Sequence, residues 1–347
     1  MAKEPRIVVL GAGSVGCFIG GVWRADRADV GFIGRENVCN EISKHGLRLS
    51  DLEGWNAQLP PGEVNFSTKP AALAKADIVL LCTKSSGTEA AAKQIAVHAK
   101  RKPAVISFQN GISNVDVLKK ALPKLQVLRG MVPFNIAHLG QGRWHKGVAG
   151  DLVVEDSAVT RELAARFKSG PARVKPGINM ERIAWGKLLI NLNNAVNALS
   201  GKTLLEQLGQ RDYRRVVAAS MVEALEVLGA AGIEPAQLGP IPPKLLPHAI
   251  GAPDLVFKHL LLRVQKIDAD ARSSMHDDLV AGRATEIDHL NGEVVKLAEK
   301  IGRDAPVNRA IVDLVKQREA GVEHLWSASD LRKYVLEGHR GAAGFGY

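Results

Sequence analysis

The stretch Arg6-Ile7-Val8-Val9-Leu10-Gly11-Ala12-Gly13-Ser14-Val15-Gly16 constrains this chain most. It opens as a short, β-branched apolar run, closes in G-x-G-x-x-G, and is followed by small apolar residues from Cys17 to Trp23. That is the order strand, tight glycine turn, helix. Each glycine has a mechanical task. Gly11 permits the sharp turn, Gly13 leaves room for a pyrophosphate to approach the backbone, and Gly16 lets the helix lie close to the strand. The free N–H groups of the helix start then face an anion. A signal-peptide reading of the run behind Lys3 and Arg6 fails on the three spaced glycines and on Arg24 and Asp26, with no small-residue cleavage site. The expectation is a dinucleotide-binding domain.

The 347 residues are enough for two domains with real cores. With 46% apolar and 24% charged residues the composition is that of a soluble globular protein. The longest apolar candidate, residues 216–233, is interrupted by Glu223 and Glu226, which excludes a membrane span there. Three cysteines, Cys17, Cys39 and Cys82, have no metal-ligand spacing; their odd number suits a reducing compartment, the cytoplasm. Cys17 and Cys82 read as small core residues. The net charge of +10 attracts anions such as a phosphorylated cofactor or a carboxylate substrate. No basic block exceeds Lys100-Arg101-Lys102 and no aromatics interleave with it, so nucleic acid is not an expected partner.

The first half alternates strand-like and helix-like segments, as in a parallel α/β sheet. Asp29-Val30-Gly31-Phe32-Ile33 reads as the second strand and ends at Gly34-Arg35. An acid near this point would accept from a ribose 2′-hydroxyl. Arg35 stands there instead, and a guanidinium suits a 2′-phosphate, which favours NADP over NAD. Residues 45–66 read as a small strand pair or an irregular connection. Ala76-Asp77-Ile78-Val79-Leu80-Leu81-Cys82 and Ala104-Val105-Ile106-Ser107-Phe108 are buried strands. Lys84 follows the first and Gln109-Asn110-Gly111 the second, both on the ligand edge of a parallel sheet. Lys84 reads equally as a phosphate contact or surface charge, and Asn110 as a ribose contact or a turn residue. Candidate strands at 128–134 and 151–154 and a helix over 158–168 complete the first domain, residues 1–178.

From Met180 to about Arg318 the periodicity is helical, interrupted at 235–247 and at Gly251-Ala252-Pro253. This defines a second domain over 179–337 and a frayed glycine-rich tail over 338–347. Gly201-Lys202-Thr203 imitates a P-loop, but the earlier glycine falls at Val196 and no strand precedes it. Lys187, Asn191 and Asn194 share one face of a helix in otherwise apolar text. Buried polar groups of that kind need partners or a ligand. A second polar cluster runs through Arg272-Ser273-Ser274-Met275-His276-Asp277-Asp278 and on to Arg283-Ala284-Thr285-Glu286. Ser274 with Asp277, and Thr285 with Asp288, fit capping boxes, which leaves Ser274 and Glu286 open between cap and site.

On these residues the chain resembles the ketopantoate reductase family. The matching pieces are Gly11-Ala12-Gly13-Ser14-Val15-Gly16, Cys82-Thr83-Lys84, Gln109-Asn110-Gly111, Trp185-Gly186-Lys187-Leu188-Leu189-Ile190-Asn191, Ser273-Ser274-Met275, and the run from Arg283 to Gly292, in family order across most of the chain. The resemblance implies an N-terminal Rossmann-type parallel sheet domain, an all-helical C-terminal domain resembling that of 6-phosphogluconate dehydrogenase, and NADP(H) as cofactor. It implies that Gly11, Gly13, Ser14, Val15 and Gly16 hold the dinucleotide, with Arg35 and Lys84 on its 2′-phosphate. Lys187 matches the general acid. Asn110, Asn191 and Asn194 match amides for nicotinamide ribose or substrate, and Ser274 and Glu286 match groups gripping substrate carboxylate and hydroxyl, with Glu286 also placed in the catalytic set beside Lys187 and among the cofactor contacts. The family's second helix asparagine would fall at Ala195, so Asn194 or Asn197 is left to replace it. The segment 233–271 is longer than in the shorter family members.

The implied activity is NADPH-dependent reduction of 2-dehydropantoate (ketopantoate) to pantoate, on the route to pantothenate and coenzyme A. The alternatives are a related reductase of another 2-oxo acid or an imine, and a non-catalytic NADP(H) sensor. No membrane contact is expected. The helical half has room for a homodimer face, although no stripe in the sequence marks one.

Overall fold

Successive residues of the first strand face opposite sides of a sheet, and both sides are covered. The computed structural model describes residues 4–257 and 271–338. The chain divides into two compact units, Met1–Met180 and Glu181–Tyr347. In the first, the strands are β1 (Ile7–Leu10), β2 (Val30–Ile33), β3 (Leu47–Asp51), β4 (Asn56–Leu59), β5 (Asn65–Ser67), β6 (Ile78–Leu81), β7 (Ala104–Ser107), β8 (Val127–Met131), β9 (Ile136–Gly140), β10 (Arg143–Lys146), β11 (Leu152–Glu155) and β12 (Val174–Gly177). The main sheet runs β12-β11-β8-β7-β6-β1-β2-β5. Every neighbouring pair in it is parallel except β8 with β11.

Ile7 and Val9 enter one core with α1 (Ser14–Ala25), whereas Val8 and Leu10 enter another. The second core holds Ala91, Ala92 and Ile95 of α3 (Thr88–His98) and Val115 and Leu118 of α4 (Asn114–Ala121); α2 (Glu36–His45) follows β2 and α5 (Ala158–Arg166) follows β11. Burial on both faces explains why β1 and β6 are unbroken apolar runs and why β7 is apolar up to its last residue, Ser107. A second sheet, β4-β3-β10-β9, packs Leu47, Leu49, Leu59 and Trp144 into the core of α1. The strand pair expected in 45–66 is β3 with β4. Its partner hairpin β9–β10 was not anticipated, and it turns through Gly140, Gln141 and Gly142, all with positive φ. Cys17 is fully buried and Cys82 packs on the same core. Burial pushes both thiols up, Cys82 to about 12, which leaves them as inert packing.

The second unit is helical: α6 (Met180–Asn191), α7 (Asn193–Ser200), α8 (Leu204–Leu208), α9 (Arg211–Ala230), α10 (Leu246–Ile250), α11 (Asp254–Val256), α12 (Ser274–Val280), α13 (Asn291–Lys300), α14 (Pro306–Glu319) and α15 (Ala328–Arg332). The long α9 organises it. From α9, the fully buried Arg214 donates to the carbonyls of Leu208, Ile250 and Ala252 and to Asp254, closing the ends of α8 and α10. Glu223, also on α9, accepts from the N–H groups of Val307 and Asn308 at the start of α14. Thr203 of the P-loop lookalike is a helix cap: it forms a capping box with Glu206. Among the described residues no helix is long and apolar enough to cross a membrane. Of the expected tail, residues 339–347 lie outside the described residues, as do 258–270 of the long segment.

Candidate active site

The glycine turn can be tested as a cradle by placing a methyl group on each glycine. At Gly11, with φ +94°, it would strike the backbone of Cys82 and Thr83. At Gly16 it would meet the Gly11 carbonyl at 2.7 Å and Val9 at 2.8 Å. At Gly13 it would meet nothing within 4 Å. Two glycines therefore serve close packing, and the third faces open space at the start of α1. No side chain caps that helix and no acid lies in its first turn. The N–H groups of Ser14, Val15 and Gly16 occupy the helix's first positions, where an anion is favoured. These residues fit a dinucleotide pyrophosphate.

The other sheet-edge residues of this unit come from the loops after β2, β6 and β7. Arg35 is exposed at the end of β2, immediately before α2. Lys84 is half-buried, three residues beyond β6, and Asn110 is half-buried, three residues beyond β7. A polar network not foreseen in the sequence ties the last two loops together. The Gln109 amide donates to Thr88 Oγ1 at 2.8 Å and to Thr83 Oγ1 and the Lys84 carbonyl at 3.2 Å, while its oxygen accepts from Ser107. The buried Asn114 donates to the Asn110 carbonyl at 2.5 Å and to Ser85 Oγ at 3.0 Å. A glutamine directly after a buried strand was the available signal.

In the helical unit, Lys187 stands between buried Gly186 and Leu188 on α6 and is itself half-buried. Burial drives its pKa down to about 8, and the charge of Glu286 pulls in the opposite direction. The start of the long 233–271 segment braces α6 here. Ala236 donates its N–H to the Arg182 carbonyl at 2.8 Å, Arg182 reaches Glu234, and a side chain on Gly186 would collide with the Ala236 carbonyl. Asn191 and Asn194 are half-buried. The turn at Leu192 separates α6 from α7, but Leu192 keeps helical dihedrals and its N–H still reaches the Leu188 carbonyl, so the helical path from Lys187 to Asn194 continues.

Asn197 has a different task from Asn194. It is fully buried, its amide donates to the Lys202 carbonyl at 3.0 Å, and its oxygen accepts from the Ser273 N–H at 2.9 Å. The oxygen joins α7 to the start of α12, and the amide closes the turn that follows α7. Ala195, where the resemblance would put an asparagine, is fully buried.

The capping expectations shift. Ser273, not Ser274, caps α12: its hydroxyl accepts from the His276 N–H and donates to the Asn194 carbonyl. Ser274 is exposed at the first helical position. Thr285 does not pair with Asp288. Its hydroxyl accepts from the Ile287 N–H, and its own N–H donates to Glu319 at 2.6 Å. Those two bonds fix the backbone on either side of the half-buried Glu286. A desolvated ammonium in the field of a carboxylate, with carboxamides on the same helical path, can give a proton to an oxygen that is gaining charge. No group of three or more metal-ligating side chains occurs among the described residues.

The first unit is a Rossmann-type parallel sheet with flanking helices, and the second is helical. The sequence matches the family described as ketopantoate reductase PanE/ApbA over residues 7–158 and the C-terminal domain of the same family over 179–319. The chain belongs to the ketopantoate reductase family. The 2-dehydropantoate 2-reductase of Halobacterium salinarum is 26% identical over 321 residues, covering 90% of this chain and 98% of that protein. The crystal structure of a PanE/ApbA family ketopantoate reductase from Ralstonia eutropha aligns with TM-score 0.78 and 28% identity, over 92% of this chain and all of that one. The fold is also that of a D-mandelate dehydrogenase solved with NADH and anilino(oxo)acetate, at TM-score 0.76 and 19% identity, over 91% of this chain and 98% of that one.

Proposed function

We propose that this chain is an NADPH-dependent 2-dehydropantoate 2-reductase, forming pantoate on the route to pantothenate and coenzyme A in the cytoplasm. The single observation that carries the reading is Lys187, half-buried on α6, where burial against the charge of Glu286 leaves its pKa at about 8. A general acid works best with a pKa near the working pH. A non-catalytic sensor of the dinucleotide would have no use for it.

A bound NADPH supplies the hydride. Lys187, as ammonium, stabilises the negative charge that grows on the ketone oxygen and gives that oxygen its proton. Glu286 keeps Lys187 charged and accepts from a substrate hydroxyl. Asn191 and Asn194 hold the oxo acid in line, and Ser274 binds its carboxylate at the exposed start of α12. Asn110 holds the nicotinamide ribose, Ser14, Val15 and the three glycines hold the pyrophosphate, and Arg35 and Lys84 select the 2′-phosphate. A second reading, reduction of a different 2-oxo acid, is favoured by Ala195, which brings no amide to the helix at that position.

Steady-state rates with 2-dehydropantoate, 2-oxoisovalerate and pyruvate, each with NADPH and NADH, test the reading. We expect kcat/KM to be greatest for 2-dehydropantoate with NADPH, by about tenfold or more. A larger value for another oxo acid transfers the same chemistry to that substrate. Cofactor binding without turnover of any oxo acid or imine favours the sensor.

A further inference from the structure

We infer that Lys69 joins Arg35 and Lys84 as a further cation of the clamp for the 2′-phosphate of the dinucleotide. The inference rests on the NADPH reading and adds a residue that motif comparison does not assign. β5 is the parallel neighbour of β2, with Ser67 in register with Ile33. The Gly34 N–H donates to the Ser67 carbonyl at 3.2 Å, so the two chains leave the sheet side by side. Arg35 then stands two residues past Ile33, and Lys69 two residues past Ser67. Nothing bulky can come between the strand ends, since a side chain on Gly34 would meet Phe66 at 2.8 Å and Ala12 at 3.0 Å.

The turn that carries Lys69 is pinned. Its N–H donates to Ser67 Oγ at 3.0 Å, and that hydroxyl donates in turn to the Lys69 carbonyl at 3.3 Å. Pro70 follows and keeps Lys69 extended, at φ −102° and ψ 128°. Both cations are exposed. Among the described residues neither side chain has an acidic partner, whereas Arg6 in this unit pairs with Asp29 and Arg101 with Asp77. Two like charges at one strand edge repel each other, and a dianion between them reverses that cost. A phosphate monoester carries about −1.5 to −2 charges at neutral pH, so it draws each cation at that edge more strongly than a monoanion would.

Calorimetric titration of the full-length protein with NADP⁺ and with NAD⁺ tests the clamp, using wild type, Arg35→Ala, Lys69→Ala and Lys69→Glu. Lys69→Ala should weaken NADP⁺ about tenfold and leave NAD⁺ within about twofold, with Lys69→Glu weaker still for NADP⁺ alone. If Arg35→Ala discriminates the two cofactors and neither Lys69 variant does, the Lys69 assignment is overturned while the NADPH reading stands. If wild type itself binds NAD⁺ as tightly as NADP⁺, both fall.

Discussion

The charge of Glu286 offsets part of the effect of burial on the Lys187 ammonium, leaving its pKa at about 8. The lysine stays protonated at neutral pH, yet its proton is far easier to remove than in water. If Lys187 is the proton donor, reduction falls as pH rises through about 8, because only the ammonium donates. Glu286→Gln removes the charge that supports the ammonium, so the limb of the pH–kcat profile should move to lower pH. A profile unchanged in that variant contradicts the coupling.

Gly13 and Gly16 should fail in opposite ways when changed to alanine. Gly16→Ala drives a methyl group into the Gly11 carbonyl and Val9, so urea denaturation should show a loss of about 1–3 kcal/mol. Gly13→Ala places its methyl group in open space, at a negative φ, and should leave folding intact. It should weaken dinucleotide binding by about tenfold or more, by keeping the pyrophosphate from the backbone.

Asn194 and Asn197 separate binding from architecture. Asn197→Ala strands the Ser273 N–H and the Lys202 carbonyl, and should cost about 2–3 kcal/mol in urea denaturation. Asn194→Ala should leave the urea midpoint nearly unchanged and raise KM for the oxo acid. The reverse pattern would exchange their roles.

The strand–turn–helix at the N-terminus was legible because its glycine requirements are local: a turn, an open face and a close approach all lie within six residues. β6 was legible because burial on both faces makes an unbroken apolar run, and β7 because only its last residue, Ser107, is polar. The hairpin β9–β10 was not, since His138, Arg143, His145 and Lys146 give it no apolar alternation. Lys146 is nonetheless buried, donating to the Gly150 and Pro171 carbonyls against the ring of Phe134. Its strand also pairs in parallel with β3, with Ser50 bonded to His145 across 95 positions of sequence. The cap of α12 was misplaced by one residue for the same reason. Asn197, 76 positions away, holds the Ser273 N–H, and local spacing cannot show that. The polar stripe from Lys187 to Asn194 was readable as an exception in apolar text, whereas the Gln109 and Asn114 bonds between loops are products of the tertiary fold.

The most direct measurement is single-turnover reduction of 2-dehydropantoate by wild type and Lys187→Ala at neutral pH, alongside NADPH affinity by fluorescence. The variant should lose about a hundredfold or more in rate while NADPH affinity stays within about twofold. A variant that binds NADPH and reduces the oxo acid at close to the wild-type rate would contradict Lys187 as the proton donor.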